Sequence, residues 1–157
     1  MSSLWAPWRI RYILGERTEG CFLCRGPQSA DDAKNYVLLR GKTCFVILNA
    51  YPYNPGHLMV APYKHTGELG DLAAMELAEL MTLPQRCTRI LQQASKPDGF
   101  NIGLNLGHVA GAGVLDHVHL HVVPRWSGDV NFMPVLADTR VLPQALEETY
   151  AELKKWV

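Results

Sequence analysis

Three histidines separated by single apolar residues, His117-Val118-His119-Leu120-His121-Val122-Val123, are the densest concentration of reactive side chains in the chain. An extended segment alternates its side chains between two faces. The run is therefore predicted to form a strand with three imidazoles on one face and Val118, Leu120 and Val122 on the other. At a rise of about 3.3 Å per residue, successive histidines stand roughly 6.6 Å apart, enough for each to do a different job along one substrate or beside one metal. Strand interiors favour Val, Ile or Thr on propensity, so three imidazoles in a row point to the chemistry of their nitrogens. A neutral ring offers one donor and one acceptor near pH 7, which suits either a metal site or a nucleophilic or acid–base site. A zinc hydrolase would usually add a carboxylate ligand or an H-x-x-x-H helix pair, and neither follows this run. The glycine-rich stretch Asn105-Leu106-Gly107-His108-Val109-Ala110-Gly111-Ala112-Gly113 leads into it. Backbone amides in such a loop can approach an oxyanion closely, which suits phosphate.

The rest of the chain must bring these groups together. Short β-rich runs at Tyr36–Leu39, Cys44–Leu48 and Leu58–Ala61, separated by Gly41-Lys42-Thr43 and Pro52-Tyr53-Asn54-Pro55-Gly56, predict an antiparallel meander. From Leu69 to Ala94, apolar residues at Leu69, Ala73, Leu77, Leu80, Cys87 and Leu91 predict one long helix packed on the sheet. Pro84 sits inside that stripe and predicts a kink, or two abutting helices, near Thr82 or Leu83. Phe100–Leu104 reads as a further strand. Pro143, followed by Ala145, Leu146, Thr149, Leu153 and Trp156, predicts a terminal amphipathic helix. Cys21-Phe22-Leu23-Cys24 lies between Gly20 and Gly26-Pro27 and is expected in a turn, not at the helix start of a redox motif. Trp5, Trp8 and Tyr12 around Arg9 and Arg11 predict an aromatic arm that packs on the domain or on a partner subunit. Strands, one main helix and strands again give an α+β domain. One domain is expected over residues 1–157: an arm and Cys-x-x-Cys turn to residue 35, a core over 36–132 and a C-terminal helical region over 133–157.

A chain of 157 residues buries roughly 70% of its unfolded surface and needs no disulfide scaffold. Fifteen basic and fifteen acidic residues argue against a protein that binds nucleic acid by neutralising many phosphates. No apolar run reaches the roughly 18 residues of a membrane span, and the first residues lack a signal-peptide core, so a cytoplasmic location is expected. Four cysteines at unlike spacings then read as metal ligands or buried thiols.

The triad run, together with Phe45-Val46-Ile47-Leu48-Asn49, Asn54-Pro55-Gly56-His57-Leu58-Met59-Val60-Ala61-Pro62 and Asn105–Gly113 in order, resembles the histidine triad superfamily of nucleotide hydrolases and nucleotidyl transferases. Tyr51–His57 and Pro124–Phe132 further resemble the branch containing bacterial diadenosine tetraphosphate phosphorylases. The resemblance runs from about Trp5 to Phe132. It implies a five-stranded antiparallel sheet with one long helix and a C-terminal helix, and a homodimer. It implies His119 as the nucleophile, its second nitrogen held by a backbone carbonyl. His121 and His57 would act on phosphate oxygens or the leaving group, Asn49 on the ribose, and Asn105 with the amides of Gly111 and Gly113 on non-bridging oxygens. In zinc-bearing members the positions of Cys21, Cys24, His65 and His117 are the ligands, which implies a closed structural zinc site. Arg125 is expected to pair with a phosphate, Trp126 to wall off bulk water and Asn131 to add a donor. The chain departs from some phosphorylase relatives at Gly113, where they carry serine, and His108 has no assigned role.

Dinucleoside polyphosphate cleavage through a nucleotidyl-histidine on His119, with orthophosphate or water as acceptor, is the leading expectation. The alternatives are a nucleoside phosphoramidase or mononucleotide hydrolase, and a zinc-stabilised protein that binds nucleotides without turnover.

Overall fold

The computed structural model describes residues 20–129 and 144–157. The aromatic arm, Asn131, Phe132 and Pro143 lie outside the described residues. The chain order is helix α1 (Phe22–Gln28), strands β1 (Val37–Arg40), β2 (Cys44–Leu48) and β3 (Leu58–Pro62), helix α2 (Ala74–Ser95), strands β4 (Gly99–Leu104) and β5 (Leu120–Arg125), and helix α3 (Leu146–Lys154). Single 3₁₀ turns at Leu69–Asp71 and His108–Ala110 precede α2 and β5. The strands form one antiparallel sheet in the order β1-β2-β3-β5-β4, giving the expected α+β architecture. No helix among the described residues is long and apolar enough to cross a membrane.

Alternation along β2 and β3 divides the core. Cys44, Val46, Leu48, Leu58 and Val60 face α2, where Leu80, Leu83, Cys87, Ile90 and Leu91 form the stripe, and α3 adds Tyr150 and Leu153. Phe45, Ile47, Met59 and Ala61 face the other way and pack with Val37 and with Leu23 of α1. The sheet is thus covered by two helices on one side. The other side carries the site.

Two expectations about helices need correction. α2 is one continuous helix through the buried Pro84, not two abutting helices, so burial in the fold offsets the local cost of the missing donor. The motif Cys21-x-x-Cys24 does open a helix: Cys21 is the N-cap of α1, and its carbonyl accepts the N–H groups of Cys24 and Arg25. Pro27 and Gly26 sit inside α1, where a proline late in so short a helix sacrifices little of its hydrogen bonding.

Candidate active site and metal site

β5 begins at Leu120, so only His121 of the three histidines lies within a paired strand. His119 immediately precedes it, and His117 lies at the bend before that. The reason lies in β3: its ladder with β5 covers Leu58↔Val122, Met59↔His121 and Val60↔Leu120, and the strand then ends at Pro62. The Pro62 carbonyl is taken by the ring of His117 (Nε2 to O, 2.8 Å), and Val118 N–H turns instead to Thr66 O (2.7 Å). The two-residue alternation survives without the ladder. Val118, Leu120 and Val122 enter the core facing α2, while the three imidazoles take the other side.

The proton positions in the site follow from groups that have one role only. The backbone N–H of Tyr53 can only donate, and it points at His57 Nδ1 (3.1 Å), with the Asn49 amide nitrogen 3.3 Å from the same atom. His57 Nδ1 is therefore an acceptor, and its proton sits on Nε2, which lies 2.9 Å from His121 Nδ1. That bond leaves a neutral His121 with its own proton on Nε2. Burial, followed by the neighbouring His119, lowers the His121 pKa to about 4, so the ring is neutral at pH 7. His119 Nδ1 lies 2.8 Å from the His117 carbonyl oxygen, which can only accept. The Nδ1–H is thereby fixed and Nε2 keeps a bare lone pair. Rings of His119 and His121 stand edge to face with centroids 4.8 Å apart, closer than the backbone spacing because the side chains lean together. The site thus sets a bare imidazole lone pair beside a neighbouring N–H donor.

His57 reaches this place through the turn before β3. Gly56 has φ +80°, and a Cβ there would meet Leu91 Cδ2 at 2.9 Å, so only glycine lets the turn lie against α2. The Tyr53 ring tilts over His57, with centroids 4.8 Å apart. No sequence signal singled out Tyr53, because its position depends on the turn's three-dimensional path. Asn49 is engaged at both ends of its amide: Oδ1 accepts Tyr51 N–H (2.9 Å) and Nδ2 faces His57.

The glycine-rich loop and the strand exit differ from expectation. Gly111 N–H is given to His108 O (3.0 Å), closing a turn with Gly111 at φ +87°, so this amide is not presented to a phosphate. The Asn105 side chain lies beside Gly111, and Gly113 has open space where a side chain would project. Arg125 does not offer a free fork. Its Nε and Nη2 clasp Asp129 (2.6 and 2.9 Å), and Nη1 donates to Asn101 Oδ1 (2.7 Å). Trp126 Nε1 donates to Ser95 O at the end of α2, and the indole lines a cleft with Leu91 and Ala94 on the helix side of the sheet. It stands across the sheet from the triad and does not wall it. Exposed His108 lies on the loop's 3₁₀ turn.

Cys21, Cys24, His65 and His117 place one ligand atom each within 4.8 Å of one another. His117 Nδ1 is 3.4 Å from each of Cys21 Sγ, Cys24 Sγ and His65 Nδ1, and Cys24 Sγ is 3.3 Å from His65 Nδ1. A tetrahedral ion with Zn–S near 2.3 Å and Zn–N near 2.05 Å requires S···N edges of about 3.5 Å and N···N edges of about 3.3 Å. The donor set fits. Burial lowers the His117 pKa, and its Nε2–H goes to Pro62, so Nδ1 holds a lone pair toward the cluster. The elements responsible are the start of α1, the loop after β3 and the approach to β5.

Residues 31–128 match the family model of the HIT domain. Over 162 aligned positions the chain is 41% identical to the AP-4-A phosphorylase of Mycobacterium tuberculosis, covering 95% of this chain and 80% of that protein. It is 33% identical over 93 positions to the asymmetrical bis(5'-nucleosyl)-tetraphosphatase of Schizosaccharomyces pombe, covering 59% of this chain and 50% of that one. A zinc-bound histidine triad family protein from Mycobacterium smegmatis has a similar structure, with TM-score 0.69 and 28% identity over 87% of this chain and 92% of the other.

Proposed function

The chain belongs to the family of HIT domain proteins, and from that premise we propose that it cleaves dinucleoside polyphosphates through a covalent nucleotidyl intermediate on His119. The observation that carries this reading is the proton order in the site: a bare Nε2 on His119 next to an Nε2–H on His121. In the first step His119 Nε2 attacks the α-phosphorus, the P–O bond to the remaining polyphosphate breaks, and that departing oxygen is stabilised by the His121 N–H. The His117 carbonyl supports the positive imidazole that develops on His119. In the second step an acceptor oxygen displaces His119 from phosphorus.

Orthophosphate is the favoured acceptor, giving a nucleoside diphosphate, and the likeness to a phosphorylase at 41% identity supports it. Water, giving a monophosphate, is the reading favoured by the hydrolase relative and by Gly113, which has no hydroxyl to offer an incoming phosphate. Diadenosine tetraphosphate digested with and without millimolar phosphate separates them. ATP with ADP only when phosphate is present supports the phosphorylase; ATP with AMP in both tubes makes the protein a hydrolase. No cleavage in either tube, with nucleotide bound, would leave the non-catalytic binder.

Zinc is the metal proposed for the Cys₂His₂ set, in a structural role, because four protein ligands leave no place for a water. A homodimer is proposed on family likeness.

A further inference from the structure

We propose that Asp129 is a positioning residue for the acid side of the site, acting through Asn54 on His57 and through His57 on the proton of His121; the catalytic part of this inference rests on the function proposed above. Asp129 follows β5 directly, in the turn after Arg125, and its side chain is only 9% exposed. Its carboxylate accepts four hydrogen bonds. Arg125 gives two of them in a bidentate clasp, Trp126 N–H gives a third (3.2 Å) and Asn54 Nδ2 the fourth (2.8 Å). The second hydrogen of the Asn54 amide goes to Pro124 O (2.9 Å). Both donors of Asn54 are thus fixed to the far end of β5.

Asn54 in turn holds the residue that matters for the proton order. Its backbone carbonyl accepts His57 N–H (3.1 Å), and the turn between them can only take its path over Leu91 because residue 56 is glycine. His57 is fully buried, so its ring has no freedom apart from the turn that carries it. The ring's Nε2–H then meets His121 Nδ1 at 2.9 Å. Tyr53 N–H sets the proton on His57 Nε2, and the carboxylate that secures the turn holds that donor against His121 Nδ1, leaving the His121 proton on Nε2 toward the substrate. Arg125 has a use of its own in this arrangement: its fork orients Asp129 and is braced from β4 by Asn101.

The test combines kinetics with nitrogen-15 NMR of the histidine rings on the full chain. In the native protein without nucleotide, His121 should appear as the Nε2–H tautomer with Nδ1 in a hydrogen bond. Asp129→Ala and Asn54→Ala should move His121 toward the mixed signals of a free imidazole and lower kcat about 10- to 100-fold with KM changed less than about threefold. Asp129→Asn, which keeps an acceptor for Asn54, should restore most of both. A native His121 protonated on Nδ1 would overturn the inference even if every variant failed to fold. So would folded variants that lose activity while the His121 signals stay native, or that keep full kcat. If the native protein cleaves no dinucleotide, the proposed reaction fails, while the NMR comparison still decides the positioning role.

Discussion

At the scale of single residues, the site is an argument about protons. His119 and His121 are the same side chain two positions apart, yet a carbonyl at one Nδ1 and an imidazole donor at the other give them opposite roles. His119→Ala should therefore reduce turnover by on the order of a thousandfold or more while nucleotide affinity stays within a few-fold, and rapid quenching of the native protein should trap a nucleotidyl adduct on that residue. An alanine variant retaining a tenth of native activity would exclude the covalent route. His121 carries a pH prediction as well. Its pKa falls from the usual 6.5 to about 4 in the folded state, so the unfolded chain takes up its proton first and the native state loses stability as pH falls from about 6.5 toward 4. Replacing His121 by Asn should flatten stability in that window, read by thermal melts across the pH range.

At the scale of elements, the apolar contact between the sheet and its long helix is supplemented at the β1–β2 turn by a carboxylate. Glu79 of α2 accepts hydrogen bonds from the backbone N–H groups of Lys42, Thr43 and Cys44 and from the Thr43 hydroxyl, wrapping the β1–β2 turn around itself. Burial alone would raise its pKa, but these donors outweigh it and bring the value down to about 2. A depressed carboxylate contributes stability that is present above its unfolded value near 4.3 and is lost as pH falls toward 2. Glu79→Ala strands three backbone donors and should cost about 1–3 kcal/mol at pH 7, with the penalty shrinking below pH 4. Denaturant titrations at pH 7 and pH 3 make the comparison, and an equal loss at both would show that the charge is irrelevant to the turn.

At the scale of the whole molecule, the Cys₂His₂ set brings three distant stretches together, and the proposed zinc would tie them into one frame. Cys21 and Cys24 belong to α1, His65 to the loop after β3 and His117 to the approach to β5. His117 also offers the carbonyl that holds His119 Nδ1, so one residue serves both the Cys₂His₂ set and the proposed nucleophile. Structural zinc contributes on the order of 10 kcal/mol in small peptide sites, comparable with the whole stability of a domain at about 5–15 kcal/mol. Freshly purified protein should contain about one zinc per chain, and Cys21→Ser or Cys24→Ser should lose metal and lower the melting temperature together. Zinc-free native protein of unchanged stability would remove the metal from this account.

The local pattern of residues determined much of this protein. A short β-rich run between turn residues placed β2 at its observed bounds, and period-two alternation sorted Val118, Leu120 and Val122 from the three imidazoles. The four segments in order carried the family, and one domain's worth of apolar stripe carried α2. What the chain could not declare locally was decided by partners far away in sequence. Where β5 begins depends on Pro62 and Thr66 competing for the groups of His117 and Val118. Whether Pro84 breaks α2 depends on the sheet packed beneath it, and whether Arg125 meets a phosphate depends on Asp129 reaching it first. The two roles of His119 and His121 are of the same kind. Identical residues in one repeating motif acquire different tautomers only when folding sets a carbonyl against one ring and His57 against the other, since a proton's position on an imidazole is chosen by the hydrogen bond its other nitrogen makes.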